Sequence, residues 1–188
     1  MISSTNVYGL IFKRVKILVL FDIFYHTTTN VYVMRYIKIT KPDINNGVGC
    51  RVTLWLPGCT HKCPGCHNAW TANYNIGKEF DENTKQLIFN ELSKSYMAGI
   101  TISGGDPLDQ PKETLDELGK FLLDVNERFP NKNVWIYTGY YYKDLNDDQL
   151  SVLEHCDVLV DGPFINSLAD PTLAFRGSSN QSIIDLKK

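Results

Sequence analysis

The chain has no apolar run long enough to span a bilayer. Its candidate, Lys16-Ile17-Leu18-Val19-Leu20-Phe21, is interrupted by Asp22 and followed by His26-Thr27-Thr28-Thr29, whereas a spanning helix needs about 20 apolar residues. Basic residues precede that run in the manner of an export signal, but no small-residue cleavage site follows it. The chain also lacks an excess of either charge: 19 Lys and Arg stand against 21 Asp and Glu, a net charge of -2. Its basic residues are scattered apart from Lys13-Arg14 with Lys16, so no basic field attracts nucleic acid or anionic lipid. Neither a nucleic acid nor a membrane is an expected partner. Cysteine is scarce and odd in number, at five. Without an export signal, that count argues against a disulfide framework and for a reducing, cytoplasmic setting.

What is present suits one globular domain, since 188 residues of which 43% are hydrophobic can bury a substantial core. Three of the five cysteines fall in a single short run, Gly58-Cys59-Thr60-His61-Lys62-Cys63-Pro64-Gly65-Cys66-His67. Three thiolates can hold a cubane iron–sulfur cluster and leave its fourth iron open to chemistry. A structural zinc site is the competing reading, because zinc closes four positions with cysteine or histidine and His61, His67, Cys50 or Cys156 could supply the fourth. Two observations weigh against zinc: no second close pair of cysteines follows, and the remaining cysteines are single. Unligated thiols are the third possibility, with Cys50 and Cys156 read as small buried hydrophobes. Such cluster chemistry requires no Ser-His-Asp order or paired-carboxylate arrangement, and a hydrolase would need a buried nucleophile and a base within hydrogen-bond reach, which sequence does not show.

From residue 36 onward, strand and helix patterns alternate. Residues 51–56 are β-branched and apolar and end at Pro57-Gly58, so the cysteine loop leaves the carboxyl end of a strand. Residues 80–96 carry Leu87, Ile88, Leu92 and Tyr96 at helical spacing, with Asp81 or Asn83 as cap. A short buried strand follows at 99–103. Leu115, Leu118, Leu122, Val125 and Phe129 then recur every three or four residues, between Pro111 and Pro130, and mark an amphipathic helix. Strands at 134–137 and 157–161 flank a short helix at 145–153. Such alternation favours parallel strands with right-handed crossovers, and four or five strands are too few to close an eight-stranded barrel. The expected fold is α/β, a small partial (βα) barrel with a curved, mainly parallel sheet. Its strands would deliver the cysteine loop, Gly104-Gly105-Asp106, Thr138-Gly139 and Asp161-Gly162 to one carboxyl edge, where parallel α/β folds place ligands.

The cysteine spacing resembles the cluster motif of the radical S-adenosylmethionine superfamily. Asn46-Gly47-Val48-Gly49-Cys50-Arg51, Gly104-Gly105-Asp106-Pro107, Trp135-Ile136-Tyr137-Thr138-Gly139-Tyr140, Val160-Asp161-Gly162 and Phe175-Arg176-Gly177-Ser178-Ser179-Asn180-Gln181 narrow the resemblance to the activating proteins of anaerobic ribonucleoside-triphosphate reductases. It covers residues 34–188, which reads as one activase domain; residues 1–33 read as a dispensable N-terminal extension, often disordered.

The resemblance implies a [4Fe-4S] cluster on Cys59, Cys63 and Cys66, with S-adenosylmethionine chelating the open iron. A low-potential donor such as reduced flavodoxin would supply the electron that cleaves the cofactor's 5′ carbon–sulfur bond. The resulting 5′-deoxyadenosyl radical would take the α-hydrogen of a glycine in the large subunit of the reductase. Gly104 and Gly105 would admit the cofactor, Asp106 would accept from its ammonium group, Thr138 would lie near its methionine or ribose portion, and Asp161 would hydrogen-bond it. Read locally, Gly104-Gly105-Asp106-Pro107 is also an ordinary turn, Asp161 also a cap, and Asn46-Gly47 a turn whose neighbour Arg51 pins a carboxylate or steadies the loop. His67 stands where this family often has tyrosine and related glycyl-radical activases more often have histidine, and its ring would pack near the adenine or support the loop. Activation of a different glycyl radical enzyme, a small-molecule radical enzyme and a zinc-binding adaptor remain the alternatives.

Overall fold

The computed structural model describes residues 33–187; the expectation of a dispensable extension over 1–33 falls almost wholly outside the described residues. Six strands form the main sheet: β2 (Lys38–Asp43), β3 (Cys50–Leu56), β5 (Met97–Gly104), β6 (Asn133–Tyr137), β7 (Val158–Asp161) and β8 (Ser182–Asp185), adjacent in that order. β3, β5, β6 and β7 run parallel, and β2 and β8 close the two edges antiparallel. Two short strands, β1 (Arg35–Tyr36) and β4 (Lys78–Glu79), pair separately. Helices α1 (Glu82–Leu92), α2 (Lys112–Arg128) and α3 (Asp147–Leu153) each link successive parallel strands. The sheet is mixed but mostly parallel and its ends do not meet, which makes it a partial (βα) barrel.

Side-chain alternation divides the sheet into an apolar and a polar face. Val52, Leu54 and Leu56, Ile100 and Ile102, Val134 and Ile136, and Leu159 join Ile88, Leu118, Phe121, Leu122 and Val125 of the helices in one core. The intervening residues include Arg51, Thr53, Thr101 and Ser103, which are buried yet polar. Arg51 sits there without an ion pair among the described residues. Its guanidinium donates to Thr101 Oγ1 at 2.7 Å, Asn133 Oδ1 at 2.6 Å, and the carbonyls of Val48, Ile100 and Asn133. Of the two roles expected for it, steadying the loop is the one built, because every acceptor in reach is neutral.

The helices form where their patterns predict, with shorter ends. Asp81 caps α1 by accepting from Thr84 N at 2.8 Å. Ser93 ends α1, so Tyr96 falls beyond the helix and stays exposed with Leu87, while Ile88 and Leu92 face the core. Asn146 and Gln149 form a reciprocal capping box at the start of α3. Among the described residues, no helix is long and apolar enough to cross a membrane.

Candidate metal and cofactor site

Loops leaving the carboxyl ends of β3, β5, β6 and β7 meet over the sheet edge, as the strand order requires. The first, residues 57–72, is closed on itself by Gly58 N to Thr71 O at 2.8 Å and Cys59 N to Ala72 O at 3.2 Å. A tight turn through Pro64-Gly65, closed by Cys66 N to Cys63 O at 3.1 Å, presents the second and third cysteines. Gly65 has a φ of 77°, and an added Cβ would lie 2.9 Å from Asn166 Oδ1 of the loop after β7, so only glycine fits that approach comfortably.

Cys59, Cys63 and Cys66 line one cleft together with Gly104, Gly105, Asp106, Thr138 and Gly139. All three cysteines are half-buried and unpaired. The other thiols are elsewhere: Cys50 starts the seven-residue β3, about 20 Å from its far end at 3.3 Å per residue, and buried Cys156 donates to Val152 O. The cleft therefore offers three thiols and no fourth, a donor set that suits a cubane with one iron left open rather than a zinc site closed by sulfur.

Asp106 organises the cleft. It is 1% exposed, and its Oδ2 lies 2.8 Å from His61 Nε2, 3.0 Å from Thr138 Oγ1 and 2.8 Å from Gly139 N, while Oδ1 accepts from Leu108 N at 2.9 Å. One carboxylate thus ties the loop after β3 to those after β5 and β6. A second tie is Asp109, which accepts from Thr60 N and Thr60 Oγ1 through Oδ2 and from Tyr140 Oη through Oδ1 at 3.1 Å. His61 packs edge-on against Tyr140, ring centroids 4.5 Å apart. Gly104 and Gly105 line the cleft, and what their missing side chains admit is backbone: a Cβ on either would lie 2.2 Å from Leu56 O or Gly58 O. Thr138 is 5% exposed and also accepts from Tyr140 N.

Two expected residues stand apart from this cleft. Asp161 is buried, with one carboxylate oxygen on Tyr142 N at 3.0 Å and the other on Ser182 N at 3.1 Å, so it binds β8 and the 140–142 loop to the end of β7. His67 leaves the turn on the β2 side and lines a separate groove with Lys38, Thr40 and Trp55. Conversely, His61 and Asp109 are central to the geometry. His61 was visible in the sequence only as one possible zinc ligand, and nothing local singles out Asp109.

Burial pushes the Cys59 thiol up to about 11, opposed by a hydrogen bond from the His61 backbone. Metal binding would therefore displace a proton there. The hydrogen bond to Asp106, larger than the opposing effect of burial, raises the His61 imidazole above its ordinary value. Burial works to raise the Asp109 carboxyl, yet donation from Thr60 and Tyr140 leaves it lowered. Ligand atoms of Cys59, His61 and Asp109 all lie within 4.8 Å of one another.

Comparison with known proteins agrees with this donor set. The family described as "4Fe-4S single cluster domain" matches residues 45–184, and the chain carries an iron–sulfur type of cofactor site. The anaerobic ribonucleoside-triphosphate reductase-activating protein of Haemophilus influenzae is 40% identical over 152 residues, 80% of this chain and 97% of the relative. That of Enterobacteria phage T4 is 41% identical over 150 residues, 80% and 93% of the two chains. That of Escherichia coli K12 is 41% identical over 156 residues, 82% of this chain and all of the relative.

Proposed function

Because the chain belongs to the family of anaerobic ribonucleoside-triphosphate reductase-activating proteins, we propose that it installs the glycyl radical of such a reductase, acting on the large subunit. Cys59, Cys63 and Cys66 would hold a [4Fe-4S] cluster, and S-adenosylmethionine would bind beside it. Held by these residues and reduced, such a cluster would supply the single electron for cleaving the 5′ carbon–sulfur bond of S-adenosylmethionine, and the 5′-deoxyadenosyl radical released with methionine would take the glycine α-hydrogen. The observation that carries the reading is the single cleft lined by three thiols, Gly104-Gly105-Asp106 and Thr138-Gly139.

The protein's own work is positioning and exclusion. Asp106 fixes the three loops through four partners, and His61 is the less buried of the two side chains among them. Its departure would free one acceptor for the ammonium group of S-adenosylmethionine. Thr138 and Gly139 would hold the neighbouring wall. Asp161 and His67 would act on the cofactor only at a distance, through the 140–142 loop and the cysteine loop. A low-potential donor such as reduced flavodoxin would reduce the cluster. Five free thiols suit an oxygen-poor cytoplasm.

The test is anaerobic reconstitution with iron and sulfide, followed by electron paramagnetic resonance of the reduced protein with and without S-adenosylmethionine. A [4Fe-4S] signal that changes on adding S-adenosylmethionine, and a glycyl radical on added reductase, are expected. Cys59→Ala, Cys63→Ala and Cys66→Ala should each leave a labile or incomplete cluster; full stoichiometric clusters in all three would overturn the ligand assignment.

A further inference from the structure

Cys59 and His61 of the cleft belong, with Asp109 beside it, to a second set of metal donors that shares only Cys59 with the three thiols. The geometry points to a mononuclear site for a divalent transition metal, of the Zn2+ or Co2+ class, formed by Cys59, His61 and Asp109 in the cluster-free protein. Their ligand atoms already lie within 4.8 Å of one another. Zinc bonds of about 2.0–2.3 Å in a tetrahedron put donors roughly 3.3–3.6 Å apart. The set therefore closes on a metal by side-chain adjustments of about 1 Å, with no change of fold.

The surroundings are those of a metal site as well. Metal-bound histidines usually give their second ring nitrogen to a carboxylate, which fixes the tautomer and the ring plane. His61 Nε2 lies 2.8 Å from Asp106 Oδ2, leaving Nδ1 for the metal. Asp106 is held in turn by Leu108 N, Thr138 Oγ1 and Gly139 N. The Asp109 carboxylate is oriented by Thr60 on one oxygen and Tyr140 Oη on the other. One thiolate, one imidazole and one carboxylate suit a borderline cation such as Zn2+, with water as a fourth ligand. On binding, the Cys59 S–H bond is replaced by a sulfur–metal bond and the proton passes to solvent.

Since Cys59 serves both sets, the mononuclear metal and the cluster exclude one another. That consequence rests on the cluster assignment above; the mononuclear site itself does not. Zn2+ bound here would hold the chain out of cluster assembly until a chelator removed it.

The test is titration of the full-length, metal-stripped protein with Co2+ under nitrogen, read by its visible tetrahedral bands and its thiolate charge-transfer band. A 1:1 complex is expected, retained in Cys63→Ala and Cys66→Ala and weakened at least tenfold in His61→Asn and Asp109→Asn. X-ray absorption of the Zn2+ form of the unaltered chain supplies a readout independent of variants: one sulfur with nitrogen and oxygen ligands supports the site. Three sulfurs, or Co2+ binding lost in the Cys63 and Cys66 variants but kept in His61→Asn, would overturn it, as would absence of a 1:1 complex. Separately, Zn2+ that leaves iron and sulfide uptake unchanged would refute the exclusion without touching the site.

Discussion

Five hydrogen bonds and no carboxylate hold the buried Arg51 guanidinium tightly in place. Burial lowers its pKa to about 10, with Tyr137, Asp157 and Asp43 opposing the shift. Arg51→Met would strand at least two buried acceptors among the Ile100 and Asn133 groups, at about 1–3 kcal/mol each. A loss of roughly 2–5 kcal/mol is expected in urea unfolding, and Arg51→Lys should recover little of it, because one ammonium cannot reproduce the planar fork. Cys156 gives a pH-dependent case. Its thiol is 1% exposed, and burial raises its pKa, so the folded state keeps the proton while the unfolded chain loses it above about 8.5. Above that pH the unfolded state binds fewer protons and stability falls, by up to about 1.4 kcal/mol per pH unit; below it the contribution is complete. Between pH 9 and 10, Cys156→Ala should lack this component of the decline, and equal slopes for the two proteins would contradict the burial argument. At this scale the sequence showed the cysteine triplet clearly, because ligand spacing within one loop is a local property. It could not show that Asp106 and Asp109 would each bind donors from other loops, since those partners meet only when β3, β5 and β6 are aligned.

Elements were legible where burial is strongest. The four parallel strands are apolar runs and α2 repeats its leucines at helical spacing, so both carry their signal in sequence. The edge strands carried none: β2 is Lys-Ile-Thr-Lys-Pro-Asp, half exposed and interrupted by proline, and β8 is a short Ser-Ile-Ile-Asp, mostly exposed. Charge and proline are how edges avoid further pairing, and they erase the alternation that reveals a strand. Two glycines separate the forces acting on elements. Gly119 lies inside α2 with an ordinary helical φ, and a Cβ there would meet nothing nearer than His155 Cδ2 at 3.9 Å. Gly119→Ala should therefore stabilise the fold by about 0.5–1 kcal/mol through a better helix propensity. Gly105→Ala should do the reverse, since its Cβ would lie 2.2 Å from the Gly58 carbonyl. Backbone must yield there, at about 1–3 kcal/mol, and the yielding segment is the start of the cysteine loop. Urea midpoints should move in opposite directions for the two variants, with reconstituted iron content falling only in Gly105→Ala. A Gly105→Ala protein as stable and as iron-replete as the parent would mean that the loop is looser than its contacts indicate.

For the whole molecule, the question is where the folding unit begins. Met34 is fully buried in the core beside the helices, and its backbone N–H donates to Glu117 Oε2 of α2 at 2.8 Å. Its carbonyl accepts from Phe80 N, and the next two residues form β1 against β4. The chain is thus anchored from its thirty-fourth residue by apolar burial, strand pairing and a hydrogen bond to a helix 83 residues away. A protein started at Met34 would place a charged amino group on the same Glu117 carboxylate. That exchanges a neutral donor for an ionised one, and charge-assisted hydrogen bonds are the stronger kind. Truncation to 34–188 is therefore expected to leave the unfolding free energy in urea within about 0.5 kcal/mol of the full chain and to reconstitute the same iron and sulfide content. The contribution of the new ion pair should be lost when Glu117→Gln is combined with the truncation, whereas Glu117→Gln in the full chain should cost less. A truncated protein that fails to fold, or that folds without taking up its cluster, would place part of the folding unit before Met34.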